Sequence, residues 1–219
     1  MPKIQIALDT LDGDHALELA RLTAPYVDIL EAGTPLIKSV GIGIVSKLKS
    51  AHPDKTVLAD LKSSDVGAYE AAMAYRAGAD IVTTQGITTL ATITEVQREA
   101  DKWKRRAEVD MTGVQDPVKR AEEVRGVGVT LVLYHRSIDE EVTQGALWDE
   151  RACQTVQKMC ALGLDVAIAG GVDLKVFPKM CGAPVYAIVV GRGITGQKDP
   201  AEAARAIAQG VKEYWPAVP

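Results

Sequence analysis

The sequence predicts a single (β/α)8 TIM barrel. Short apolar, β-branched runs alternate eight times with helix-like stretches, and charged residues gather at the C-terminal ends of almost all of those runs. The runs span 4–9, 27–31, 56–61, 80–84, 107–110, 130–134, 165–169 and 186–190. Each is nearly continuous in apolar residues, as expected of parallel strands covered on both faces. An open doubly wound sheet has the same alternation, but no G-x-G-x-x-G follows the first run, so the dinucleotide fold loses its main signal. At 219 residues the chain suits one catalytic domain, 1–219, without large insertions.

Between the runs lie helical stretches at 68–77, 90–104, 117–125, 151–162 and 200–214. Asp116 before Pro117 and Asp199 before Pro200 have the order of an N-cap and first helical turn. Gly78, Gly126 with Gly128, and Gly163 stand where helices would stop.

The composition is that of a globular protein, with 47% hydrophobic and 25% charged residues. A net charge of −4 supplies no broad basic field, which argues against nucleic acid or an anionic membrane as main partner. No run approaches the ~20 apolar residues of a membrane span, and the N-terminus leads straight into a strand, so a cytoplasmic location is expected. Cys153, Cys160 and Cys181 form no C-x-x-C pair, and the spacing of the first two suits small residues on one helix face.

The strand ends place Asp9, Glu31, Asp60, Lys62, Asp110 and His135 around one rim. A lone carboxylate there reads as a helix N-cap, but six convergent polar positions read as a site. Asp60 and Lys62 are two apart on a strand, so simple alternation points them the same way, with Asp65 in the turn beyond. Such a cluster keeps the lysine charged and crowds the carboxylates. Glu31 and Asp60 end neighbouring strands and, with water and substrate oxygens, suit a hard cation such as Mg²⁺. No His/Cys set suggests zinc. His15 and His52 look like surface residues, whereas His135 ends an apolar strand and could move protons. After the last two strands, Gly170-Gly171 and Gly191-Arg192-Gly193 form the usual barrel phosphate site, backbone amides and a guanidinium facing an anion.

Along essentially its whole length the chain resembles the orotidine monophosphate decarboxylase suprafamily. The resemblance rests on Ala7-Leu8-Asp9, Glu31-Ala32-Gly33-Thr34, Ala59 through Gly67, Tyr134-His135-Arg136-Ser137, Ala169-Gly170-Gly171 and Gly191 through Ile194. The D-x-K-x-x-D element of Asp60, Lys62 and Asp65 is the hallmark of the group, and Glu31 points to its metal-dependent branch. That branch holds 3-keto-L-gulonate-6-phosphate decarboxylases of ascorbate utilisation and formaldehyde-fixing 3-hexulose-6-phosphate synthases, which form a cis-enediolate from a sugar phosphate with Mg²⁺.

The resemblance implies Glu31 and Asp60 as Mg²⁺ ligands and Lys62 as the enediolate-stabilising cation. It implies a homodimer in which Asp65 reaches the partner's site. Asp9 and Asp110 would orient substrate hydroxyls, His135 would direct protons, and Arg136, Gly170, Gly171, Gly191 and Arg192 would hold substrate, the last three at its phosphate. Tyr134 through Ser137, residues 145–148, Arg192 and Tyr214-Trp215-Pro216 look like the decarboxylase. Asp110, Ile138 and Ala169 depart from it toward the synthase. Decarboxylation of a 3-keto sugar-acid 6-phosphate is the first expectation, with the formaldehyde aldol reaction or a related sugar-phosphate lyase as alternatives. A barrel that binds without catalysis would need no lysine between carboxylates.

Overall fold

A computed structural model describes residues 1–140, 143, 148–180 and 182–216. Residues 145–147, part of the decarboxylase-like pattern, and Cys181 lie outside the described residues. Eight strands close in sequence order into a parallel barrel: β1 (Lys3–Leu8), β2 (Ile29–Ala32), β3 (Thr56–Ser63), β4 (Ile81–Gln85), β5 (Arg106–Asp110), β6 (Leu131–His135), β7 (Asp165–Ala169) and β8 (Ala187–Val190). β8 pairs back onto β1 through Lys3 with Ala187 and Gln5 with Val189.

Helices α1 (Gly13–Thr23), α2 (Thr34–Val40), α3 (Gly43–Ala51), α4 (Gly67–Arg76), α5 (Leu90–Trp103) and α6 (Pro117–Arg125) follow the earlier strands. The later connections carry α7 (Ile138–Glu140), α8 (Glu150–Ala161), α9 (Phe177–Met180), α10 (Arg192–Thr195) and α11 (Pro200–Tyr214). Among the described residues, no helix is long and apolar enough to cross a membrane. The expected caps are present: Asp116 accepts from the Lys119 amide and Asp199 from the Glu202 amide. The stop after α6 is where the sequence puts it: Gly126 is the C-cap, with a right-handed backbone, and Gly128, at φ +98°, makes the turn beyond.

The continuous apolar runs conceal a period of two. One parity, Ile6, Leu8, Leu30, Val57, Val82, Val109, Val132, Ile168 and Val190 among others, packs beneath the helices. The other parity fills the barrel with Ala7, Ile29, Leu58, Ile81, Leu131, Leu133, Ala167 and Val189. Two residues further along the same strands, this inner parity turns polar. Ile29 leads to Glu31, Leu58 to Asp60, Ile81 to Thr83, and Leu133 to His135. The strands therefore carry an apolar plug below and a ring of functional groups above. Cys153 and Cys160 sit on α8, partly buried against the outer core, with free thiols.

Candidate active site

The ring is built around Lys62. Its Nζ donates to Asp110 Oδ2 at 2.6 Å and lies 3.1 Å from Asp60 Oδ2. Asp60 and Lys62 point to the same side of β3, as strand alternation predicts, while Leu61 between them packs outward; the local backbone is nonetheless irregular. The pairing of β3 with β4 shifts register between Ala59 and Ser63, and Lys62 takes a left-handed backbone at φ +49°. Thr83 fixes the bulge: its Oγ1 accepts from the Lys62 amide at 2.9 Å and donates to Asp60 Oδ1 at 2.7 Å. Thr34, at the start of α2, donates to Asp60 Oδ2 at 2.6 Å. Asp60 is thus oriented from three sides.

Asp110, at the end of β5, is fully buried and gathers the far side of the ring. Its Oδ1 accepts from Thr112 N and Oγ1, at 2.9 and 2.6 Å, and its Oδ2 lies 3.0 Å from His135 Nδ1. Burial alone would raise the Asp110 pKa, but the bond and charge of His135 and the charge of Lys62 hold it well below the usual carboxylate range. Burial alone would likewise lower the Lys62 pKa; Asp60 and Asp110 overcome it and raise the ammonium above its ordinary value. Lys62 is a permanent cation here. With Nδ1 held by Asp110, the Nε2 nitrogen of His135 is left to face a reactant.

Glu31 lies buried on β2 and accepts a 2.7 Å bond from Gln5 Nε2. Burial, then the negative charges of Asp60 and Asp9, push its pKa well up. A cation beside these carboxylates would relieve that cost, so the donor set fits a hard divalent ion. Among the described residues, no three His, Cys, Asp or Glu side chains form a complete cage. The remaining ligands would have to be water or substrate oxygens, as Mg²⁺ prefers. Asp9 stands exposed at the mouth against Gly33, where a Cβ would come 2.1 Å from Asp9 Oδ1.

Gly171, Gly191 and Arg192 line one pocket of about 300 Å³ together with Gly193 and Gln197. Gly170 does not line it. At φ +91° it turns the chain so tightly that a Cβ would sit 2.0 Å from the Arg136 carbonyl oxygen, and its own carbonyl accepts from Trp148 Nε1 at 2.8 Å. Arg136 and His135 line a neighbouring cleft with Met111 and Tyr134.

Asp65 is apart from the Lys62 network. It is exposed, and its Oδ1 accepts from the Val66 amide at 2.8 Å, while Val66 adopts φ +47°, a strained conformation for a β-branched residue. Sequence reasoning missed Thr34, Thr83, Thr112 and Gln5, which orient the charged groups. Thr83 has the inward parity of β4, a legible signal. It also missed Glu108 on β5, buried inside the barrel with neither carboxyl oxygen hydrogen-bonded.

Residues 2–207 match the family described as Orotidine 5′-phosphate decarboxylase / HUMPS family. The chain is 39% identical over 203 residues to a 3-hexulose-6-phosphate synthase of Mycobacterium gastri, covering 93% of this chain and 96% of that one. It is 33% identical to a 3-keto-L-gulonate-6-phosphate decarboxylase of Salmonella typhi, covering 98% and 99% of the two. A crystal structure of KGPDC from Streptococcus mutans, solved as a ligand complex, superposes with a TM-score of 0.94 at 31% identity, covering 98% of this chain and 99% of that one.

Proposed function

Because the chain belongs to the orotidine 5′-phosphate decarboxylase / HUMPS family and is a carbon–carbon lyase, we propose that it decarboxylates a 3-keto sugar-acid 6-phosphate with Mg²⁺, converting 3-keto-L-gulonate 6-phosphate to L-xylulose 5-phosphate. The observation that carries this proposal is the ammonium of Lys62 clamped between Asp60 and Asp110, with His135 on the same Asp110 oxygen. Loss of CO2 leaves negative charge spread over two substrate oxygens as an enediolate. A fixed cation set among dry, oriented carboxylates stabilises such charge far better than water does. Glu31 and Asp60 would hold Mg²⁺, which would supply Lewis-acid stabilisation of that charge.

The chain's own groups divide the remaining work. Arg192 and the amides of Gly171 and Gly191 grip the phosphate, which sets the register of the sugar over Lys62. Asp9 orients hydroxyls at the mouth. His135, its Nδ1 directed to Asp110, delivers a proton to the carbon that lost CO2 or takes one from it.

We also propose that the enzyme is a homodimer. Val66, Tyr69, Met73, Ile87 and Leu90 are exposed apolar residues on and near α4. They flank Asp65, so a two-fold contact there would cover them and carry Asp65 toward the partner's site.

A second reading, the aldol addition of formaldehyde to ribulose 5-phosphate, draws on Asp110, Ile138, Ala169 and the higher identity to synthases. The decarboxylase reading draws on Arg192, the Tyr134–Ser137 run and the buried Trp148. Parallel assays with Mg²⁺ separate them, one with 3-keto-L-gulonate 6-phosphate and one with ribulose 5-phosphate plus formaldehyde. CO2 release should be the faster reaction and should cease with EDTA. An aldol rate exceeding it would overturn the decarboxylase reading in favour of the synthase.

A further inference from the structure

The opposite end of the barrel has the opposite charge. A basin of about 430 Å³ opens at the N-terminal ends of β1, β3, β4, β5 and β8, lined by Lys3, Lys49, Lys55, Lys104, Arg105 and Arg106 against two carboxylates, Asp54 and Asp80. In a chain of net charge −4, six cations converging on one concavity oppose the overall balance. Their pairing is incomplete. Lys49 and Arg105 both spend their charge on Asp80, and Arg106 pairs with Asp165 at the rim. Lys55 approaches Asp54 at 3.9 Å. Among the described residues, neither Lys3 nor Lys104 pairs with a carboxylate; Lys3 lies over the Tyr186 ring at 5.1 Å, and Arg106 over the same ring at 5.0 Å.

The helix end places one of these cations. Lys104, just after α5, takes φ +53°, a conformation that favours Gly or Asn, yet this position presents a lysine to the basin. A lysine at a helix C-terminus gains something from the helix dipole. That gain does not require five further cations around the same space.

We propose that this basin is a second anion site, distinct from the Gly171–Arg192 pocket, and that it takes a compact oligophosphate: free pyrophosphate or the phosphate chain of a nucleotide. The two unpaired ammonium groups, with the positive charge left over where Lys49 and Arg105 divide the single carboxylate of Asp80, match an anion with several charges over a few ångströms better than a monoanion.

Calorimetric titration of the full-length protein with pyrophosphate, and in parallel with ATP, tests the proposal. Arg192→Ala removes the guanidinium of the other anion pocket and isolates the basin. That variant should retain one saturable, salt-sensitive site per chain. Adding Lys3→Glu and Lys104→Glu should weaken binding at least about tenfold, and the milder Lys3→Gln and Lys104→Gln pair should weaken it in the same direction if charge reversal disturbs folding. The lysine substitutions alone should leave lyase turnover unchanged. Tighter binding of ATP than of pyrophosphate would identify a nucleotide as the source; equal or weaker binding would identify the inorganic ion. No saturable binding in Arg192→Ala, or binding indifferent to the lysine substitutions, would overturn the proposal.

Discussion

Lys62 and Glu108 lie near one another inside the barrel and respond to burial in opposite ways. Asp60 and Asp110 hold the Lys62 ammonium charged in spite of burial. Among the described residues, Glu108 has no hydrogen-bond donor on its carboxyl oxygens, and burial, then Asp110 and Asp60, push its pKa up to about 8. An acid whose pKa is higher folded than unfolded binds more protons in the folded state between the two values. Its contribution to stability therefore declines as pH rises from the ordinary glutamate value of 4.5 to about 8. Glu108→Gln keeps the shape and removes the ionisation. The variant should melt higher than the parent at pH 8, with the difference shrinking toward pH 5 in thermal scans at each pH. A difference independent of pH would mean that Glu108 is not held neutral by its surroundings.

Among the elements, β3 carries a bulge at the working lysine. Lys62 stands in it against Asp60 and Asp110, and one threonine from β4 pins it. Thr83→Val keeps the volume but removes the acceptor of the Lys62 amide and a donor to buried Asp60. The cost should be about 1–3 kcal/mol of stability, the usual penalty for orphaned buried partners, together with weaker Mg²⁺ binding as Asp60 loses an orienting bond. Denaturant melts and Mg²⁺ titration measure the two effects, and an unchanged Mg²⁺ affinity would leave Thr83 a purely structural residue. These elements also mark what the sequence could convey. Eight apolar runs with polar ends sufficed for the closed barrel, because both faces of every strand are buried and only the ends are free to carry charge. Glu31, Asp60, Asp110 and His135 were legible by strand-end position alone. The bulge was not, because no Gly marks it and a lysine at φ +49° has no sequence signature. Gly170 looked like part of an anion loop, yet its missing Cβ makes room for the Arg136 carbonyl, a contact between segments 34 residues apart in the chain.

At the scale of the whole molecule, a carboxylate-rich rim stands opposite a cationic base, and the proposed dimer makes the site a property of two chains. If Asp65 serves the partner's site, Lys62→Ala and Asp65→Ala chains should complement one another. Each mixed dimer then contains one site with both residues intact, so an equimolar mixture dissociated and reassembled should recover about a quarter of parental activity. Recovery of none, from variants that each still dimerise, would confine Asp65 to its own chain. On the proposed function, Lys62 and Mg²⁺ together would stabilise an enediolate at one end of a ketose phosphate. Proton NMR of L-xylulose 5-phosphate incubated with the enzyme in D2O tests it most directly. With Mg²⁺ present, one C1 proton should exchange with solvent, and exchange should fail with EDTA or in Lys62→Ala. CO2 release from 3-keto-L-gulonate 6-phosphate with no C1 exchange in the product, or exchange that survives in Lys62→Ala, would rule out the enediolate held by Lys62.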